Sequence, residues 1–360
     1  MNMDRLGMLQ SLLEELVPFV QQAYFVDACL LAGSYPEWFK YGRGVTNYLA
    51  VPDLPVDAQA TKFDLPGGVI TDGDLSAVRL INDWRDQTIR GAVAEDTTHA
   101  WYQGVGQQPP WKGKTDPDYT DFREDGKYSW VKAPRYDGAP MQVGPLSTVL
   151  VGYASHHPLT SQWVDLAFKK ISAVQGTRPT IDGMHSTMGR YLARAIRSAM
   201  LSDLALRHWK LLSDNILKGD ETTFNPPQFP THEVVGLGLH EAPRGTLSHW
   251  VVIDKGSFVN YQAVVPTTWN ASPRDLQGIP GPYIDSDSLS SARHRRGTEA
   301  AGLRQKLGRE SATWHRLWQA GQQRLLLSTA LPLAEQLLDE IRKIPLVEPA
   351  EAAGSLRRRR

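Results

Sequence analysis

A single cysteine, Cys29, in 360 residues excludes an internal disulfide, a Cys-x-x-Cys redox pair and any multi-cysteine metal cage built from this chain alone. Net charge is missing too. The 39 basic and 39 acidic residues give a formal charge of +0, so there is no global field to recruit nucleic acid or anionic lipid. No run approaches the roughly 18 to 20 uninterrupted apolar residues of a membrane span, so no transmembrane segment is predicted. The N-terminus, MNMDRLGMLQSLLEELVPF, has acids where a signal peptide needs a basic lead, which makes the chain cytoplasmic by its own sequence. There is no internal repeat, and no G-x-x-x-x-G-K-[ST] exists, which leaves nucleotide binding unsupported.

What is present reads as a large, loop-rich body with 11 Trp and 24 Pro scattered through it. Leu9, Leu12, Leu13, Leu16, Phe19 and Val20 recur at three-and-four spacing, predicting a helix over 5–33, kinked at Pro18, stopped near Gly33, with Cys29 on its buried face. Residues 35–145 are rich in turn signals such as Pro66-Gly67-Gly68, and predict short strands, loops and one helix near 75–95. Two longer helices are expected at 146–172 and 187–217, the second with Leu192, Ala195, Ile196, Met200, Leu204 and Leu211 along one face. At 247–265 the pattern switches to period two around Asp254-Lys255-Gly256, the signature of a hairpin.

Beyond about residue 287 the composition changes. From Ser288 to Arg360 there are 12 Arg and 2 Lys against 7 acidic residues, an excess of seven that the rest of the chain must cancel. We therefore divide the chain into a body, 1–287, and an Arg-rich tail, 288–360, read as a solvated terminus with an amphipathic stretch at 324–344.

Candidate sites read from residue types alone are few. His156 and His157 are adjacent rather than three or four apart, and His240 and His249 have no acid partner at ligand spacing, so no histidine metal site is expected. Asp116, Asp118 and Asp121 lack the glycine and closing glutamate of a calcium loop and read as a solvated turn. Trp111, Trp130, Trp250 and Trp269 read as core anchors, not as a stacking platform for nucleic acid. Arg244 alone would be read as a structural arginine paired with Glu241 or Asp275.

The run at 240–283, HEAPRGTLSHWVVIDKGSFVNYQAVVPTTWNASPRDLQGIPGPY, closely resembles the signature region of the large subunit of nickel-iron hydrogenases, of uptake or membrane-bound type. There a Pro-Arg-Gly turn leads into a hairpin ending in Val-Pro-Ser/Thr-Thr-Trp-Asn. Further similarity lies in GRGVTNYLA (42–50), HAWYQG (99–104), PPWKGKTDPDYTD (109–121), KYSWVKAPRYDGAPMQVGPL (127–146) and STMGRYLARAI (186–196). The resemblance implies an α+β, mainly α fold, with a hydrogenase-like helical core, a peripheral β-hairpin and long loops. It implies a nickel-iron centre with diatomic ligands, held by two Cys-x-x-Cys pairs whose soft thiolates suit those metals.

This sequence has neither pair, so no metal ligand is expected from this chain alone. By resemblance Arg244 lies over the open metal position and acts in dihydrogen cleavage, while Pro243, Gly245, Pro266 and Thr267 form the outer shell of the centre, Thr267 as a hydroxyl donor. An arginine, with a pKa above about 12, suits electrostatic positioning better than proton abstraction. The resemblance also implies an iron-sulfur small subunit and maturation factors as partners, and export, if any, through the small subunit. Three readings follow. The first is a catalytic subunit truncated at both metal-binding ends and inactive alone. The second is a cysteine-poor, non-catalytic maturation scaffold. The third is an interaction protein that docks through its basic tail. Truncation at both ends would leave apolar surface exposed and stability marginal.

Overall fold

The computed structural model describes residues 3–283, apart from 221, 223, 225, 227 and 229. The Arg-rich tail and its amphipathic stretch at 324–344 lie outside the described residues. Helix α1 (Met3–Pro18) runs through a π-helical turn, Phe19–Tyr24, into α2 (Phe25–Ser34). Pro18 has no N–H to give to the ladder, and the chain absorbs the misfit with a wider turn instead of breaking. The continuous stretch Asp4–Ser34 is long and apolar enough to cross a membrane by length and composition. Its second half behaves as a core helix, because Phe25, Ala28, Cys29 and Ala32 are buried. Its first half leaves Met8, Leu12, Leu16 and Phe19 exposed.

Residues 48–143 form short strands: β1 (Tyr48–Ala50), β2 (Asp53–Pro55), β3 (Phe63–Leu65), β4 (Gly67–Ile70), β5 (Arg79–Ile81), β6 (Val93–Asp96), β7 (Gln107–Gln108), β8 (Ala133–Tyr136) and β9 (Gln142–Val143). The helix expected near 75–95 shrinks to a 3-10 turn, Leu75–Ala77, and to α3, Gln87–Ala92, because Arg79–Ile81 is recruited as a strand beside β4. One sheet has the order β5-β4-β1-β9, with β1 antiparallel to β4 and parallel to β9. Period two gives β1 two different faces. Tyr48 and Ala50 enter a helical core, whereas Leu49 and Val51 enter a second core with Trp250, Trp269 and Val264. The strand thus ties together the two halves of the interior.

The helix expected over 146–172 is two helices, α4 (Pro145–Ala154) and α5 (Pro158–Gln175), separated where His156 adopts φ +57° and Pro158 opens the second. Helix α6 (Thr187–Leu217) matches the expectation, capped by the Ser186 hydroxyl, which accepts from Gly189 N at 3.0 Å. It packs on α4, α5 and α2 through Leu192, Ala195, Ile196, Ala199 and Met200. The hairpin is β11 (Gly245–Asp254) and β12 (Ser257–Val264), turned by Lys255 and Gly256, both at positive φ. It is not a lone hairpin. A third strand, β10 (Val234–Ala242), pairs antiparallel along the whole of β11, and Gly236 and Gly238 hid it from a propensity reading. A short helix, α7 (Pro266–Asn270), follows β12. Trp250 and Trp269 are fully buried and Trp111 stacks on Trp250 at 5.3 Å, but Trp130 is half exposed beside Tyr119, so it is not a core anchor.

Candidate functional site

Strand β9 ends beside a cleft of about 190 Å³. Its lining comes from the β9–α4 junction (Gln142, Val143, Pro145, Leu146), from α6 (Arg190, Arg194), from the β10–β11 turn (Pro243, Arg244) and from α7 (Thr267, Asn270), with Tyr283 closing one side. Three of the five sequence-derived candidates, Pro243, Arg244 and Thr267, therefore face one space. Gly245 and Pro266 stand just behind it, Gly245 as the first residue of β11 and Pro266 as the first of α7.

Each wall is fixed by buried polar contacts. Asn270 receives Val143 N at 3.1 Å on Oδ1 and donates Nδ2 to Val143 O at 2.9 Å, so one amide clamps α7 to β9. The β10–β11 turn is held from two sides. Arg197 of α6 donates to Glu241 O and Ala242 O at 3.1 and 3.0 Å. Glu241 Oε1 accepts from Val51 N at 2.9 Å and from the Thr246 hydroxyl at 2.5 Å. Burial pushes the Glu241 carboxyl up to about 7, against the opposing pull of the Thr246 hydrogen bond and the Arg197 charge. Its Oε2 has no partner among the described residues.

Gly245 has φ +128°, and a β-carbon there would stand 2.5 Å from Gly144 N and 2.7 Å from Val143 Cγ2. Only glycine fits this backbone-to-backbone approach. Arg244 pairs with neither acid proposed for it. Glu241 is engaged as described, and Asp275 Oδ2 accepts from Arg135 Nε at 2.6 Å, both side chains fully buried. The Arg244 side chain is exposed at the cleft mouth.

Sequence reasoning missed Gln142, Arg190, Arg194 and Asn270. Arg190 donates Nε to Gln142 Oε1 at 2.8 Å, Nη1 to Gly42 O at 2.5 Å and Nη2 to Arg43 O at 3.1 Å. Arg194 donates Nη1 to Arg190 O at 2.7 Å. Two arginines four apart on a helix with an apolar opposite face were the available signal.

The profile of the family described as Nickel-dependent hydrogenase matches residues 1–291. This chain belongs to the nickel-dependent hydrogenase family. It is 41% identical over 287 residues to the Hydrogenase-2 large chain of Escherichia coli, covering 79% of this chain and 51% of that one. It is 35% identical over 310 residues to the uptake hydrogenase large subunit of Rhodobacter capsulatus, covering 78% of this chain and 50% of the other. The hydrogenase chain spans about half the length of the curated relatives it matches. In three dimensions it is similar to a [NiFeSe]-hydrogenase of Dm. baculatum, with a TM-score of 0.63 at 27% identity over 79% of this chain and 55% of that one. That likeness agrees with the α+β, hydrogenase-like fold expected from the sequence.

The residues present do not provide the four thiolates implied for a nickel-iron centre. Cys29 lies in the helical core, 1% exposed, and burial pushes its thiol up to about 12, so it stays protonated at neutral pH. Among the described residues there is no group of three or more His, Cys, Asp or Glu that could hold a metal ion.

Proposed function

We propose that this chain supplies the outer shell of the catalytic cleft of a nickel-iron hydrogenase large subunit and does not itself hold the metals. The observation that carries this reading is the convergence of Pro243, Arg244 and Thr267 on one cleft that contains no thiolate. The activity is oxidation of dihydrogen to protons and electrons, with electrons passed to an iron-sulfur small subunit. Arg244 contributes a fixed positive charge at the cleft mouth, since a guanidinium is a poor proton acceptor. The Thr267 hydroxyl contributes a donor, and Gly245 allows the backbone of the turn to close against β9.

Alone, the chain is inactive. The test is metal analysis of the purified full chain loaded with nickel and iron, together with dihydrogen-dependent dye reduction. Substoichiometric nickel and no reduction are expected; stoichiometric nickel with dihydrogen-dependent reduction overturns the reading. The lack of paired thiolates in this chain also suits a second reading, that of a cysteine-poor maturation scaffold. Iron carrying diatomic ligands, detected on the chain by infrared spectroscopy in the absence of nickel, would favour that reading over the first.

A further inference from the structure

The lining of the cleft is unbalanced in charge. Arg190, Arg194 and Arg244 all line it, and among the described residues no acidic side chain does. Arg190 is half-buried, and that partial burial, with the Arg194 charge beside it, holds its guanidinium below the ordinary range. Arg190 and Arg194 donate to a side-chain amide oxygen and to backbone carbonyls, neutral acceptors that offset none of the charge. A second, independent sign lies at the floor. Gln142 is 5% exposed, its Oε1 is taken by Arg190, and its buried Nε2 has no acceptor among the described residues although Gln142 lines the cleft. A buried amide donor left unpaired loses its hydration without return, so such groups normally have a partner.

We propose that this cleft, as it stands in this chain, binds a small oxyanion of the phosphate class, held between Gln142 Nε2 and the guanidinium groups of Arg194 and Arg244. An oxyanion supplies what the lining lacks. It gives negative charge to three cations and an acceptor to the orphaned amide, and guanidinium forks match its paired oxygens. The Thr267 hydroxyl stands ready as a further donor. The inference rests on the charge and donors of the cleft and not on the hydrogenase reading. Phosphate binding and nickel content are separate measurements, and either reading can fail while the other stands.

The test is isothermal titration of the full chain with inorganic phosphate, against chloride at matched ionic strength. Saturable one-to-one binding of phosphate is expected, absent with chloride. Arg194→Gln and Arg244→Gln should each weaken it about tenfold or more, the weight of a charge-assisted hydrogen bond. Gln142→Glu keeps the acceptor for Arg190 while replacing the orphaned donor with a negative charge, and should abolish binding. Arg178→Gln, which removes an exposed pair with Asp165 at 2.6 Å and lies outside the cleft lining, should leave it unchanged. Arg244 has an exposed side chain, so its variant is expected to fold, and circular dichroism checks this. Phosphate heats no different from chloride, or affinity kept within about twofold in the Arg194→Gln/Arg244→Gln double variant, would overturn the proposal.

Discussion

Gly245 and Gly144 meet backbone to backbone, so closely that a β-carbon on Gly245 would stand 2.5 Å from Gly144 N. Gly144 is itself at φ +127°, and a β-carbon there would come 2.9 Å from Arg244 O. Gly245→Ala combines this clash with a positive-φ conformation that L side chains rarely adopt. A loss of roughly 1–3 kcal/mol follows from the backbone conformation alone. At about 2–4 °C per kcal/mol for a domain of this size, the melting temperature should fall by several degrees. A thermal scan showing an unchanged midpoint would rule out this packing.

Arg135 and Asp275 form an ion pair with both side chains inaccessible to solvent. Asp275 Oδ1 also accepts from Gln277 N and Ile279 N, so one carboxylate organises the loop after α7. Asp275→Ala strands the Arg135 charge in the interior and should cost about 3–5 kcal/mol in denaturant unfolding. A cost below about 1 kcal/mol would mean that the pair is hydrated in solution.

The Glu241 carboxyl, pushed up to about 7 by burial, binds its proton more tightly in the folded state than in the unfolded chain, where a glutamate carboxyl has its ordinary value of about 4.5. Between those values the folded state carries more protons, so this group's contribution to stability falls as pH rises through the window. His185 and His157, both lowered by burial, act with the opposite sign, so the whole-protein profile mixes the two. The clean readout is Glu241→Gln, which keeps an oxygen for Val51 N and Thr246. Its stability relative to the parent should increase between pH 5 and pH 8 by about 1 kcal/mol or more. A pH-independent difference would place the carboxyl near its ordinary range.

Cys29, buried and held protonated, should resist alkylation in the native chain and react at the normal rate once unfolded by denaturant. Mass spectrometry after timed iodoacetamide treatment measures this, and labelling at equal rates in both states would contradict its burial.

The exposed row Met8, Leu12, Leu16 and Phe19 on α1 and the turn after it exceeds what scattered surface hydrophobics explain. Leu12→Gln with Leu16→Gln should reduce self-association in light scattering without lowering the melting temperature. A fall in melting temperature with unchanged association would show that these side chains are packed in solution.

The long periodic elements were legible in the sequence because their signal is local. Helix α6 and the β11–β12 turn sit where the apolar spacing and Lys255-Gly256 put them. Elements whose identity depends on distant partners were not. Arg79–Ile81 is a strand because β4 is beside it, and β10 is a strand in spite of two glycines because β11 pairs along its whole length. The site divides in the same way. Pro243, Arg244 and Thr267 were found through resemblance in a continuous motif. Gln142 and Arg190 gain their meaning only from each other, across 48 positions of chain.

The clamp between Asn270 and Val143 joins residues 127 positions apart, and the anchor from Arg190 to Gly42 joins residues 148 apart. Closing loops of that length is slow, because entropy is lost before the distant contacts form. The cleft therefore exists only where these distant segments have met, and local helices alone do not make it. Whatever binds there recognises the assembled fold and no single segment of it.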